Sequence, residues 1–99
     1  MARVHFSSSA QVLAAYLSGE IDHHSAQNLR QLIDSEISET MPEQLILDFT
    51  DVGFMDSSGV GLILGRAKRM QAVGGSVLVQ HAPPSIQKML QLAHVAYQL

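Results

Sequence analysis

The 99-residue sequence contains no cysteine, no tryptophan and only six lysines and arginines. The absence of cysteine excludes disulfides and thiolate metal sites, and nothing points to an oxidising compartment. Proteins that bind phosphate backbones usually carry a basic excess, whereas the formal net charge here is -3. We therefore expect no nucleic-acid partner.

Long apolar segments are also missing. No apolar run approaches the roughly 18 residues of a membrane-spanning helix, and the N-terminal stretch has no apolar segment of signal-peptide length. The sequence therefore predicts a cytoplasmic protein with no membrane partner. With 46% hydrophobic and 15% charged residues, residues 1–99 are expected to form one domain that needs no metal to fold.

The hydrophobic pattern of the first half predicts two strands, a helix and a buried strand. The stretches RVHFSSS and QVLAAYLSG indicate a hairpin with a polar turn. From Asp22 to the break at Pro42, apolar residues recur at helical spacing (Ala26, Leu29, Ile33 and Ile37). The continuous apolar run QLILDF is typical of a central strand covered on both faces.

The second half predicts two helices separated by a strand. After a loop over 50–56, one helical face is apolar, and the helix ends at Gly74 and Gly75 in a left-handed cap. That apolar face is predicted to contain Val60, Ile63, Leu64, Ala67 and Met70. Its cations are expected on a solvated face or at a docking contact: Arg66, Lys68 and Arg69. SVLVQ is the next strand, and a last helix starts at Pro83 with a face formed by Ile86, Met89, Leu90 and Ala93.

The predicted fold class is therefore α/β. The order β-β-α-β-α-β-α predicts a single mixed β-sheet of about four strands, with helices packed on it and parallel neighbours at each β-α-β crossover.

The stretch FMDSSGVG, residues 54–61, places polar and small residues where a strand should pass into a helix. Glycines at 59, 61 and 65 do not fit the dinucleotide-binding pattern, because position 64 is Leu, and no Gly-Lys-Ser/Thr follows as in a P-loop. The small residues are better explained by close approach of the helix to a strand or a partner. Hydrolase chemistry is also disfavoured, because no G-x-S-x-G elbow presents a serine to a histidine.

Helix capping explains part of this stretch, since Asp56, Ser57 and Ser58 are all suitable N-cap residues. The remaining hydroxyls suggest a phosphorylation switch. A phosphate in the first helical turn would face unpaired amides and the positive end of the helix dipole, so the fold could carry it. The residues alone do not choose between Ser57 and Ser58.

Three long segments resemble the STAS-domain anti-sigma-factor antagonists of endospore-forming bacteria, of the SpoIIAA type. They are LSGEIDHHSAQNLR, LILDFTDVGFMDSSGVGLILGRAKRM and GGSVLV, and the similarity extends from about residue 4 to residue 92. The resemblance implies a STAS fold and a non-enzymatic role in partner switching, with no cofactor.

In that family, the unphosphorylated antagonist binds an anti-sigma factor that is also a serine kinase, and so releases the sigma factor. The kinase then phosphorylates the first serine of the motif, and a PP2C-type phosphatase restores it. The resemblance places that serine at Ser57, with Ser58 as the alternative. It implies a partner-binding surface made of Asp22, Asp56, Ser57, Ser58, Gly59 and Gly61.

Other interpretations remain open from the sequence. Asp22 is also expected to be the N-cap of the first helix. His23 and His24 are adjacent in sequence and poorly spaced to share a metal, so we predict no metal site. The alternative function is a STAS scaffold subunit that regulates a transporter ATPase. Because family members continue past the last helix into a short strand and a helix, the ending AHVAYQL predicts that this element is lost.

Overall fold

The structure is a computed structural model that describes residues 1–98. The elements follow in the order β1 Arg3–Ser9, β2 Val12–Ile21, α1 His23–Thr40, β3 Gln44–Met55, α2 Ser57–Ala72, β4 Ser76–Gln80, α3 Pro84–Leu92 and β5 Ala96–Gln98. The strands form one mixed sheet in the order β1-β2-β3-β4-β5. β1 pairs antiparallel with β2, and every other neighbouring pair is parallel.

Local residue preferences explain most element ends. Ala10 and Gln11 both have positive φ, as a two-residue hairpin turn between β1 and β2 requires. α1 ends at Met41, which adopts a left-handed conformation directly before Pro42. At the end of α2, the Gly75 N–H donates to the Met70 carbonyl and the Gly74 N–H to that of Gln71, a Schellman motif that confirms the predicted glycine cap.

The core lies between the sheet and the helices. α1 contacts β1 and β2, α2 contacts β3 and β4, and the two helices contact each other, so they share one face of the sheet. α3 extends this layer, since it contacts α2 and β5. The sheet supplies the buried side chains Leu13, Ala15, Leu17, Leu45, Leu47, Phe49 and Val79, and the helices supply Leu29, Ile33, Ile63, Met70 and Leu90.

Several strand predictions need correction. The predicted 50–56 loop is wrong, because β3 continues to Met55 and pairs with the end of β2 through two register shifts. The sheet also has five strands rather than about four: residues 96–98 form β5 and pair with β4. The predicted loss of a strand after the third helix is therefore wrong. Burial of QLILDF on both faces holds only in part, because Ile46 is half-buried while Leu45 and Leu47 are fully buried.

The helical faces were predicted correctly except at a few positions. In α2, Leu62 is buried and Leu64 is exposed. Arg66 is buried, so its predicted place on a solvated face is wrong. In α3, Ile86 and Leu90 are buried as predicted. Met89 is exposed there, and Ala93 lies beyond the end of the helix.

Candidate functional site

The first two helices start side by side at one edge of the sheet. Ile21 and Met55 are register partners at the ends of the parallel strands β2 and β3. The Asp56 N–H donates to the Ile21 carbonyl oxygen over 3.1 Å. Since Asp22 and Asp56 directly follow these strand ends, the fold brings the two acidic caps together.

Asp22 is the N-cap of α1 and forms a capping box with Ser25. The Ser25 N–H donates to Asp22 Oδ1 over 2.9 Å, and the Asp22 N–H donates to Ser25 Oγ over 2.9 Å. Hydrogen bonds from the Ser25 backbone N–H, and then from its hydroxyl, lower the pKa of Asp22. The carboxylate nevertheless stays exposed, so it caps the helix and also presents a negative charge to solvent.

Asp56 is the N-cap of α2. Its Oδ1 accepts a hydrogen bond from the Ser58 N–H over 2.8 Å, and the residue is half-buried. This one hydrogen bond provides the side-chain cap that the sequence Asp56-Ser57-Ser58 predicts. Neither serine hydroxyl is therefore needed to cap the helix.

The structure separates the two serines that the sequence left equivalent. Ser57 is the first residue of α2 and is exposed, and its hydroxyl makes no hydrogen bond with any residue in 1–98. Ser58 is half-buried and faces a groove between α1 and α2. An enzyme that modifies a serine must reach the hydroxyl, and Ser57 is the more accessible of the two.

The glycines of α2 differ in what surrounds them. A Cβ at Gly59 would collide with the Met55 side chain, so this glycine allows the helix to pack closely on the end of β3. A Cβ at Gly61 or Gly65 would meet no atom within 4 Å. Glycine costs roughly 1 kcal/mol relative to alanine inside a helix, and packing within the described chain does not require it at 61 or 65.

The groove beside Ser58 has a volume of about 420 Å³. Its basic lining residues are Arg30 and Arg66, and its other lining residues are His23, Ala26, Gln27, Ser58, Gly61, Leu62 and Gly65. No carboxylate is among these residues, so the groove is a basic surface next to the acidic caps.

Arg66 is held between the helices by a carboxylate of α1. Its Nε lies 2.9 Å from Asp34 Oδ1, although the N–H is not aligned for a hydrogen bond. Burial lowers the pKa of Arg66, and Asp34 opposes that shift. Arg69 Nε is 3.9 Å from the same Asp34 oxygen, and its Nη2 donates to Ser38 Oγ over 2.7 Å. Arg66 and Arg69, which are close in the sequence, therefore have different environments.

Sequence reasoning missed Phe54 and Arg30 beside the site, and it did not predict that Arg66 lines a groove next to Ser58. Phe54 is 53% exposed and lies one strand position before Met55. Arg30 and Arg66 face the groove from different helices. Extending the predicted strand to Met55 would have placed Phe54 on its outward face by the alternation of side chains. No local sequence pattern shows that Arg30 of α1 and Arg66 of α2 line the same groove.

The histidines do not converge on a metal site. His23 lines the groove and His24 is exposed on the same first turn of α1. Within residues 1–98, no three His, Asp or Glu side chains are grouped as metal ligands. His81 instead lies 3.2 Å from Asp48, with its Nδ1 facing Oδ2. None of the described helices is long and apolar enough to span a membrane.

Comparisons with known proteins agree on one family. Residues 5–97 match the STAS domain. An anti-sigma F factor antagonist of Paenibacillus polymyxa is 38% identical over 82 residues, which cover 83% of this chain and 70% of that protein.

Two solved structures share the fold. The anti-sigma factor antagonist SpoIIAA in its unphosphorylated form has a TM-score of 0.82 and 30% identity, over 98% of this chain and 88% of that one. The Bacillus cell fate determinant SpoIIAA in its phosphorylated form has a TM-score of 0.79 and 28% identity, over 98% and 92%. The chain belongs to the STAS domain family.

Proposed function

We propose that this protein is an anti-sigma factor antagonist switched by phosphorylation of Ser57. Unphosphorylated, it binds an anti-sigma factor that is also a serine kinase, and so releases the sigma factor. Phosphorylation by that kinase ends the binding, and a PP2C-type phosphatase restores it. The observation that carries the proposal is the exposed, unbonded Ser57 hydroxyl at the start of α2, beside the cap Asp56.

The position of Ser57 suits a phosphate that must not unfold the protein. The first four N–H groups of a helix have no partner within the helix, and the dipole there is positive. A dianion at the first position of α2 is therefore stabilised locally. The modified protein is expected to keep its fold.

The effect of the phosphate is directed at the partner. Phosphorylation adds roughly -1.5 to -2 charges at a point flanked by Asp56 and, on the neighbouring helix start, Asp22. A surface that accepts a neutral hydroxyl would meet repulsion and the cost of desolvating a dianion. A loss of a few kcal/mol lowers affinity about 100-fold or more.

Phosphate mapping tests the proposal directly. The protein is mixed with its cognate anti-sigma factor kinase and ATP, and the product is mapped by mass spectrometry. We expect one phosphate on Ser57, none in Ser57→Ala, and a phosphate that remains on Ser57 in the matched variant Ser58→Ala. A phosphate confined to Ser58, or no complex before phosphorylation, contradicts the proposal.

The alternative role, a scaffold subunit on a transporter ATPase, does not need a phosphorylatable serine. An exposed Ser57 beside an acidic cap is unexplained by that role, so the structure offers no observation in its favour. Co-purification with an ATPase subunit instead of a small kinase would support it. We propose a regulatory role in the cytoplasm, with no catalytic activity and no cofactor.

A further inference from the structure

The groove between α1 and α2 has a basic residue that the fold itself does not use. Arg30 is exposed, lines the groove, and makes no hydrogen bond or ion pair with any residue that the structure describes. Arg30 lies on α1, and Gly61 and Gly65 lie on α2 at the other side of the groove. No hydrogen bond or ion pair among the described residues therefore holds this arginine in place.

Arg66 adds a buried cation at the same place. Only 7% of the residue is exposed, yet it lines the groove. Its Nε and Nη1 have no hydrogen-bond partner in residues 1–98, although Asp34 lies close to Nε. Both nitrogens are closed off from solvent, so an acidic group in the groove would be attracted by the charge of this poorly hydrated guanidinium, and not by hydrogen bonds to Nε or Nη1.

The shape of the groove favours an occupant that comes from outside the protein. Gly61 and Gly65 contribute no side chains to the α2 wall of the groove, and a Cβ at either position would meet no atom within 4 Å. Ser58 lines the groove one residue after Ser57. A protein that covers Ser57 would therefore lie over the entrance to the groove.

We propose that this groove is a carboxylate-binding subsite, in which Arg30 and Arg66 receive an acidic side chain of the protein partner that docks over Ser57. This inference rests on the proposed function and specifies one contact of that partner. The docking surface then contains both negatively and positively charged groups. The caps Asp22 and Asp56 face basic groups of the partner, and the groove faces an acidic one, which fixes the orientation of the complex.

Charge reversal at Arg30 tests the subsite. Affinity for the cognate anti-sigma factor kinase is measured by calorimetry for the unmodified protein, for Arg30→Glu and for the matched control Lys68→Glu. Lys68 is exposed and is not among the residues that line this groove. We expect a loss of about 10- to 100-fold for Arg30→Glu and a change of less than about threefold for Lys68→Glu. Melting curves establish that both variants fold.

A charge swap identifies the occupant. Surface Asp and Glu residues of the kinase are replaced one at a time by Lys, and each variant is measured against Arg30→Glu. We expect one replacement to restore affinity at least about tenfold. The inference is overturned if none does, or if Arg30→Glu and Lys68→Glu weaken binding equally. If the unmodified protein does not bind the kinase at all, both the proposed function and the subsite are contradicted. If it binds normally and Arg30→Glu does not change the affinity, only the subsite is contradicted.

Discussion

The N–H of Asp56 donates a hydrogen bond to the carbonyl oxygen of Ile21 over 3.1 Å. This bond joins the residue that caps α2 to the last residue of β2, directly before the cap of α1. It therefore fixes the spacing of two helix starts that are more than 30 residues apart in sequence. The exposed serine, both acidic caps and the basic groove are grouped together because of this junction.

Replacing Ser57 should change binding and stability in opposite directions. Ser57→Asp adds a negative charge at the first position of α2, where it should stabilise the helix by roughly 0.3–1 kcal/mol. The melting temperature should stay level or rise by a few degrees, while affinity for the kinase falls severely. Ser57→Ala should bind like the unmodified protein. Equal affinity of the two variants would contradict the repulsion mechanism.

Gly61 and Gly65 of α2 should lower the stability of the protein and increase its affinity for the kinase. Gly61→Ala and Gly65→Ala should each stabilise the protein by about 0.5–1 kcal/mol, because alanine is the better helix former and a Cβ has space. Both should weaken kinase binding, since the methyl group enters the groove. Denaturant unfolding and calorimetry measure the two effects.

Gly59→Ala is the matched control for those glycines. Its Cβ would collide with the Met55 side chain, so this variant should be destabilised or unchanged in spite of the same gain in helix propensity. An increase in stability as large as that of Gly61→Ala would show that the contact with Met55 does not restrict position 59.

Removing the charge of Asp34 should destabilise the protein. Asp34→Asn leaves the guanidinium of Arg66 buried without a counter-ion. Loss of one partner of a fully buried pair costs about 3–5 kcal/mol. We expect about 1–3 kcal/mol here, because 27% of the Asp34 side chain is exposed and solvent screens the pair. Chemical denaturation of Asp34→Asn, with the exposed Asp51→Asn as control, measures the difference, and equal effects would exclude a specific pair.

The Asp48 carboxylate should make stability fall in acid. Burial raises its pKa, but hydrogen bonds from Thr50 and His81 together lower it below the ordinary value of 3.8. A carboxylate with a lowered pKa contributes stability above its unfolded pKa, and this contribution is lost as the pH falls through the folded pKa. Asp48→Asn should therefore be less stable than the unmodified protein at pH 7, with a gap that narrows below about pH 4. A gap that is independent of pH in denaturant unfolding would contradict this.

The sequence by itself determined the types of the first seven elements and most of the core, and it limited the cap of α2 to Asp56, Ser57 or Ser58. These features depend on neighbours along the chain: the helical spacing of Ala26, Leu29 and Ile33, the glycine pair that ends α2, and the acid that precedes it. Hydrophobic periodicity and capping act over one or two turns, so they can be identified without knowledge of the fold. The resemblance to STAS antagonists depends on the same contiguous segments.

The tertiary structure decided which groups meet. β3 extends to Met55 because β2 pairs with it, although TDVGFM has the composition of a loop. Ser57 differs from Ser58 because Ser58 is half-buried in the groove that α1 and α2 form, whereas Ser57 is exposed. Arg66 is buried because Asp34, on another helix, lies close enough to offset part of its desolvation cost. Each outcome depends on a contact between residues distant in the chain, which no local pattern encodes.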